Sequence, residues 1–301
     1  MKRSKWTTSL FLIGSFTACD REDTTCDPGD ICRWFGTPEI AGLSDAGTDR
    51  LEGSTFWVVD VAFNPQDNTP LIMDWNNHRV ISFDEDDKLV VLTGVGGNLG
   101  DGPEGDASLA EWNHPTDVDW LSDGSVVMAA WHNSRVVLFD PDFESVEFIA
   151  GTGERAFGGD GGPASEAILD LPAGIRVDEE DNIYLSDMAN QRIRKIDSNG
   201  IIDTVAGTGE HGFNGDGEAL DTMLASPALQ RAEPAFKMDY ANGSIFLADT
   251  HNGRIREYNI EDSSIETIAG VGETPPDSDN GTVCTSGCGY GGDGGPATEA
   301  M

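Results

Sequence analysis

Residues 172–207 read Pro172-Ala-Gly-Ile-Arg-Val-Asp-Glu-Glu-Asp-Asn-Ile-Tyr-Leu-Ser-Asp-Met-Ala-Asn-Gln-Arg-Ile-Arg-Lys-Ile-Asp-Ser-Asn-Gly-Ile-Ile-Asp-Thr-Val-Ala-Gly207. Apolar residues fall in four short runs: Ile175 and Val177, Ile183 and Leu185, Ile193 to Ile196, and Ile201 to Val205. Glu180-Asp181-Asn182, Asn190 and Ser198-Asn199-Gly200 separate them. Alternation with a period of two places side chains on both faces of an extended strand, and Asn, Asp and Gly accept the dihedral angles of tight turns. The stretch therefore specifies one four-stranded antiparallel meander.

The pattern repeats outward in both directions. Asp74-Trp-Asn-Asn-His-Arg79, Ala130-Trp-His-Asn-Ser-Arg135, Asp187-Met-Ala-Asn-Gln-Arg192 and Asp249-Thr-His-Asn-Gly-Arg254 align, their arginines 56, 57 and 62 residues apart. Thr93-Gly94, Ala150-Gly151, Ala206-Gly207 and Ala269-Gly270 follow with nearly the same spacing, and Gly-Asp-Gly recurs at 100–102, 159–161, 215–217 and 292–294. A meander of this kind cannot bury its two apolar faces alone. Stacking copies around an axis buries them, so the fold class is all-β, a β-propeller of four-stranded antiparallel blades.

Phe157-Gly-Gly-Asp-Gly-Gly-Pro-Ala164, Leu171-Pro-Ala-Gly-Ile175, Tyr184-Leu-Ser-Asp187, Asn190-Gln-Arg-Ile-Arg-Lys195 and Thr204-Val-Ala-Gly207 resemble an NHL-repeat protein. The long Gly-Asp-Gly-Gly linkers are similar to those of the bacterial, teneurin-like branch of that family. The second repeat departs from the pattern with Ala130 in place of Asp, and the fourth with Pro234-Ala-Phe lacking the Gly. Four blades fit residues 37–270, with Pro38 to Gly42 as a lone strand before the first. Residues 271–301 form a Gly-rich linker that opens a further repeat, so the expectation is part of a larger ring; the alternative is a closed four-bladed ring with a disulfide-bearing tail.

The amino terminus reads differently. Lys2, Arg3 and Lys5 precede the apolar run Leu10 to Phe16, and Thr17-Ala18-Cys19 follows. That is the layout of a secretory signal over residues 1–18, and the run is too short for a bilayer, which takes about 20 apolar residues. Cys19 after Phe-Thr-Ala resembles a bacterial lipoprotein box, with Phe16 where Leu is usual, and is the expected lipid-attachment site. Residues 19–36 are then a linker. Its Cys26 and Cys32, together with Cys284 and Cys288, form two close pairs that an oxidising compartment would join as disulfides, in preference to one zinc site of all four. The expected location is the bacterial cell envelope by lipid anchor, or the periplasm or exterior.

Charge narrows the partners. Eighteen Lys and Arg stand against 54 Asp and Glu, a formal net charge of −36. A surface this acidic repels phosphate backbones and anionic lipid, which excludes nucleic acid and limits membrane contact to a lipid anchor. In a meander, the second-to-third-strand turns and the blade-to-blade linkers emerge on one face. Asp74, Asn77 and Arg79, Asn133 and Arg135, Asp187, Asn190 and Arg192, and Asp249, Asn252 and Arg254 are read there as a structural clasp of turn and salt bridge. Trp75, Trp131, His132 and His251 are read as a candidate binding face. No cofactor is expected, with calcium at Asp101, Asp160, Asp216 and Asp293 as a weak possibility, since carboxylates in Gly-rich loops suit that ion. The function that follows is non-enzymatic binding of an extracytoplasmic protein, peptide or glycan. The alternative is a metal-dependent lyase or hydrolase using the propeller channel through His132 and His251.

Overall fold

A computed structural model describes residues 34–36, 40–227, 234–272 and 294–300. Blade 1 comprises β1 (Val58–Phe63), β2 (Pro70–Asp74), β3 (Arg79–Phe83) and β4 (Leu89–Thr93). A two-residue strand β5 (Gly105–Asp106) leads to blade 2: β6 (Pro115–Trp120), β7 (Val126–Ala130), β8 (Arg135–Phe139) and β9 (Ser145–Ala150). Blade 3 follows β10 (Gly162–Pro163) with β11 (Pro172–Val177), β12 (Ile183–Asp187), β13 (Arg192–Ile196) and β14 (Ile201–Ala206). Blade 4 follows β15 (Gly217–Glu218) with β16 (Met238–Ala241), β17 (Ser244–Asp249), β18 (Arg254–Asn259) and β19 (Ser264–Ala269). Every blade is a consecutive antiparallel meander, and β5, β10 and β15 each add a fifth, outermost strand to the blade they precede. The only helical pieces among the described residues are three-residue 3₁₀ turns.

The period-two pattern does what it predicted. Along β7, Val126, Met128 and Ala130 pack toward blade 1 with Met73, Val80 and Trp112. Val127 and Ala129 point the other way, against Ile175, Leu185 and Leu169. Blades 3 and 4 meet through Tyr184, Ile193, Ile245 and Leu247. The remaining face of blade 1, with Ile72, Ile81 and Leu89, is covered in part by Phe35. Strand β6 lies against β1 and β11, and β11 against β16, so the first strand of each meander forms the inner wall.

The recurrent Gly after the fourth strand has a steric cause. Gly94, Gly151, Gly207 and Gly270 all have φ between +88° and +94°, and a Cβ there would run into the backbone carbonyl oxygen of His78, Ser134, Gln191 and Gly253 respectively. Only glycine fits where the outgoing chain passes that close to the turn. The linkers also share a register: Gly151 N–H donates to Ala164, Gly207 N–H to Ala219 and Gly270 N–H to Ala297. Residues 294–300 thus dock on blade 4 as the linker turns Ala164–Glu166 and Ala219–Asp221 dock on blades 2 and 3. The lone strand expected at Pro38 to Gly42 does not form at Ile40 to Gly42; the edge bridge to blade 1 is Asp49 with Lys88 instead, because Gly47 and Thr48 take the hydrogen bonds of Leu89.

Candidate functional site

Each second-to-third-strand turn is tied to the loop that enters its own blade. The N–H of the entering residue donates to the turn's acidic side chain: Phe56 to Asp74 at 2.8 Å, Asp170 to Asp187 at 2.8 Å and Ala225 to Asp249 at 2.8 Å. In blade 2, where Ala130 replaces the Asp, Asn133 Oδ1 accepts from Asn113 N–H at 2.8 Å. Asn77, Asn133, Asn190 and Asn252 each donate Nδ2 to an incoming linker carbonyl, of Gly42, Gly100, Ala156 and Gly212. The clasp residues thus hold loop to turn.

The arginine of the clasp is not the same in every blade. Arg79 Nε meets Asp74 at 2.8 Å, both side chains buried. Arg135 meets Asp101 at 3.0 Å, because blade 2 has no turn carboxylate to offer. Arg192 and Arg254, read from the sequence as carboxylate partners, are not: they donate to the Asn190 and Asn252 carbonyls and lie 3.8 Å and 3.6 Å from the ring centroids of Phe157 and Phe213. The ion pairs come from Arg194 and Arg256, one strand period further on, where blades 1 and 2 carry Ile81 and Val137. Arg194 bridges Asp160 at 2.7 Å and Asp187 at 3.4 Å; Arg256 bridges Asp216 and Asp249, both at 3.2 Å. Burial pushes the Asp187 carboxyl up to about 6 against the pull of its hydrogen bonds and Arg194.

Three of the four calcium candidates have other partners. Asp101, Asp160 and Asp216 face guanidinium groups, and Asp160 and Asp216 also accept from Thr204 at 2.7 Å and Thr267 at 2.8 Å. Each is an arginine partner, which does not fit a calcium cage built from several converging oxygens. Among the described residues no three His, Cys, Asp or Glu side chains gather as a metal site. Asp293 and the cysteines Cys19, Cys26, Cys32, Cys284 and Cys288 lie outside the described residues.

The candidate binding face divides in two. Trp75 and Trp131 are buried in the central cluster with Leu171, Met188 and Phe236, so they pack the ring rather than face solvent. His132 and His251 are partly exposed, and each lies against a different imidazole. His132 Nδ1 lies 3.0 Å from His114 Nδ1, and His251 Nδ1 lies 3.1 Å from His211 Nε2. Beside Trp75 stands a pair that sequence reasoning passed over: Phe56 at 47% and Trp57 at 49% exposure, with Trp57 5.3 Å from Trp75 ring to ring. Their signal was two adjacent aromatics just before the first strand of blade 1, where blade 3 has Asp170-Leu171. Asn76, Asn113, His114 and His132 lie partly exposed on the same face. Burial, followed by the charges of His78 and His132, pushes His114 down to about 3; burial and Arg155 push His132 down to about 4. Both rings are neutral at pH 7.

A second cluster lines the inner wall. Lys237 reaches Asp60 and Asp117 at 3.3 Å each, and Arg176 reaches Asp117 at 2.9 Å and Asp239 at 3.4 Å. Four blades thereby contribute to one ionic network. Asp117 is fully buried; burial opposes its ionisation, but Lys237 and Arg176 outweigh it and hold the carboxyl below its usual range. Asp60 is pushed the other way by burial, up to about 6. Charged residues in the first strand of each repeat were the available signal.

Comparison with known proteins agrees with this architecture. Residues 139–223, from the end of β8 to the lead into blade 4, match the Teneurin NHL domain. Protein SUPPRESSOR OF QUENCHING 1, chloroplastic, of Arabidopsis thaliana is 37% identical over 125 residues, 40% of this chain and 11% of that protein. Teneurin-1 of Gallus gallus is 44% identical over 71 residues, 22% of this chain and 3% of that protein. The chain therefore spans a small part of the relatives it matches. A solved protein of unknown function from Bacteroides thetaiotaomicron is 20% identical at a TM-score of 0.49, over 69% of this chain and 46% of that one. Four consecutive meanders and their shared turn-and-linker register make the chain a β-propeller, and its residues 139–223 are similar to the Teneurin NHL domain.

Proposed function

We propose that the protein is exported, anchored by a lipid at Cys19, and acts as a non-enzymatic scaffold that binds a protein, peptide or glycan. The observation that carries the binding reading is the exposed Phe56–Trp57 pair on the turn face. Exposed tryptophan offers a flat apolar surface to a sugar ring or an aromatic side chain, while Asn76, Asn113 and the neutral imidazoles supply hydrogen bonds at its border. Trp75 and Trp131 beneath hold that surface rigid. The rival reading, a metal-dependent lyase or hydrolase, asked His132 and His251 to act together, and each is paired within its own blade.

The binding reading is tested by screening the purified protein against glycan and peptide arrays alongside Trp57→Ala. A hit that weakens at least tenfold in the variant supports it; hits indifferent to Trp57 and Phe56 would remove it. The export reading is tested separately: Cys19→Ser should shift the protein from the membrane to the soluble fraction.

A further inference from the structure

Blade 2 brings together three donor atoms. His114 Nδ1 lies 2.7 Å from Asn113 Oδ1 and 3.0 Å from His132 Nδ1, and His132 Nδ1 lies 3.3 Å from Asn113 Oδ1. Blade 3 puts Asp170, Leu171 and Ala189 at the corresponding positions, so the scaffold does not need this triangle.

Hydrogen bonding serves at most two of its edges at once. A neutral imidazole carries one N–H, and an amide oxygen carries none. With the proton on His114 Nδ1, the contact between His132 Nδ1 and Asn113 Oδ1 joins two acceptors. With it on His132 Nδ1, the 2.7 Å contact joins two acceptors. With protons on both, two N–H groups face each other. No neutral tautomer turns all three edges into hydrogen bonds: an N–H on His114 Nδ1 shared between Asn113 Oδ1 and His132 Nδ1 leaves the 3.3 Å edge as a contact between two acceptors. A cation at its centre would satisfy all three edges.

The geometry points to a transition-metal site formed by His114 Nδ1, His132 Nδ1 and Asn113 Oδ1. Tetrahedral zinc binds nitrogen and oxygen at about 2.0–2.2 Å, which sets its donors about 3.3 Å apart. The three separations, 2.7, 3.0 and 3.3 Å, fall at or inside that value, so the side chains need to spread by up to about 0.6 Å. Both rings are fixed beforehand. His132 stacks on Trp131 at 4.0 Å and His114 packs on Trp75 at 4.2 Å, while the backbone N–H of His114 donates to His78 Nδ1 at 3.3 Å. Two imidazoles and a neutral amide suit Zn²⁺, Cu²⁺ or Ni²⁺ and are poor for Ca²⁺, which takes oxygen ligands. Both histidines are partly exposed, which leaves the metal a path in and a further position for water. The site borders the aromatic surface proposed above and shares Asn113, His114 and His132 with it, but the metal titration contains no glycan or peptide, so either reading can fail alone. His211 and His251, with a nitrogen-to-nitrogen contact of 3.1 Å, provide a comparison within the same molecule.

The test uses chelator-stripped full-length protein titrated with Zn²⁺ by calorimetry, and with Co²⁺ by visible absorption. Wild type should bind one equivalent. His132→Gln should weaken binding at least tenfold, Asn113→Ala by less, and His251→Gln should leave it unchanged. Nitrogen NMR of labelled histidine should show the Nδ1 resonances of His114 and His132 moving on zinc addition, a readout on wild-type protein that holds even if a variant misfolds. No bound metal, binding indifferent to His132→Gln, or imidazole shifts confined to His211 and His251 would overturn the site.

Discussion

Blades 1 and 2 and blades 3 and 4 solve the same packing problem with different chemistry. In the second half, a buried arginine of the third strand, Arg194 or Arg256, joins the turn aspartate to the linker aspartate, and Phe157 or Phe213 covers the neighbouring arginine. In the first half the corresponding strand position is Ile81 or Val137, and a single arginine serves each turn. The turn face differs in parallel. Blade 3 offers Leu171, Met188 and Gln191 where blades 1 and 2 offer Trp57 and His114, Trp75 and Trp131, and His78 and Ser134. The Teneurin NHL match falls on residues 139–223, the end of blade 2, all of blade 3 and the linker toward blade 4. The chemically richest surface therefore lies where the repeat departs most from its own pattern, as expected if regular positions hold the ring and irregular ones are free to serve a ligand.

The comparison breaks most visibly at the arginines. Arg194→Ala leaves Asp187 buried without its cation, a change that costs about 3–5 kcal/mol. Arg135→Ala removes a partner from Asp101, whose side chain is 46% exposed, and should cost about 1 kcal/mol or less. Chemical denaturation of the two variants measures the gap. Equal losses would mean that the two halves are clasped alike. The glycines set the control: Gly94→Ala and Gly207→Ala meet the same carbonyl obstruction at the same φ, so each should cost about 2–4 kcal/mol in its half.

How much of this was readable follows from range. The meanders were legible because alternation and turn residues are local, and Gly151 or Gly207 stood out because one steric conflict recurs in every repeat. The arginine assignment was not. Arg192 and Arg194 lie two apart on one strand, both point to the same face, and only the position of Phe157 and Asp160 decides which one stacks and which one bridges. Asp101 looked like its repeat partners Asp160 and Asp216, yet the loss of a carboxylate at Ala130, 29 residues away, is what gives it to Arg135. The Asp60–Lys237 contact joins residues 177 apart, and no local pattern announces it.

Acid should separate the halves further. His114 and His132 in blade 2 have folded values below the ordinary histidine value of about 6.5, so the unfolded chain takes up protons first and stability falls as pH drops from about 6.5 toward 4. Asp187 in blade 3 and Asp60 are raised to about 6, so over pH 6 to 4 the folded state takes up protons first and those groups gain stability. The replacement His114→Gln should flatten the acid side of the stability curve, while Asp187→Asn should steepen it. Urea midpoints at pH 4, 5, 6 and 7 give both slopes, and parallel curves for wild type and His114→Gln would show that the ring is not held neutral by burial.

The smallest effect on stability carries the most information about use. Trp131 is 1% exposed at the centre of the ring, and Trp131→Ala should cost about 3–5 kcal/mol through the cavity it leaves. Trp57 is 49% exposed and borders the same cluster from outside, so Trp57→Ala should cost about 1 kcal/mol or less and leave the near-ultraviolet circular dichroism of the core largely intact. If Trp57→Ala costs that little, the ring is free to serve the proposed binding face. If Trp57→Ala proves as damaging as Trp131→Ala, Trp57 is a structural lid over Trp75, and the face it occupies loses its claim to a ligand.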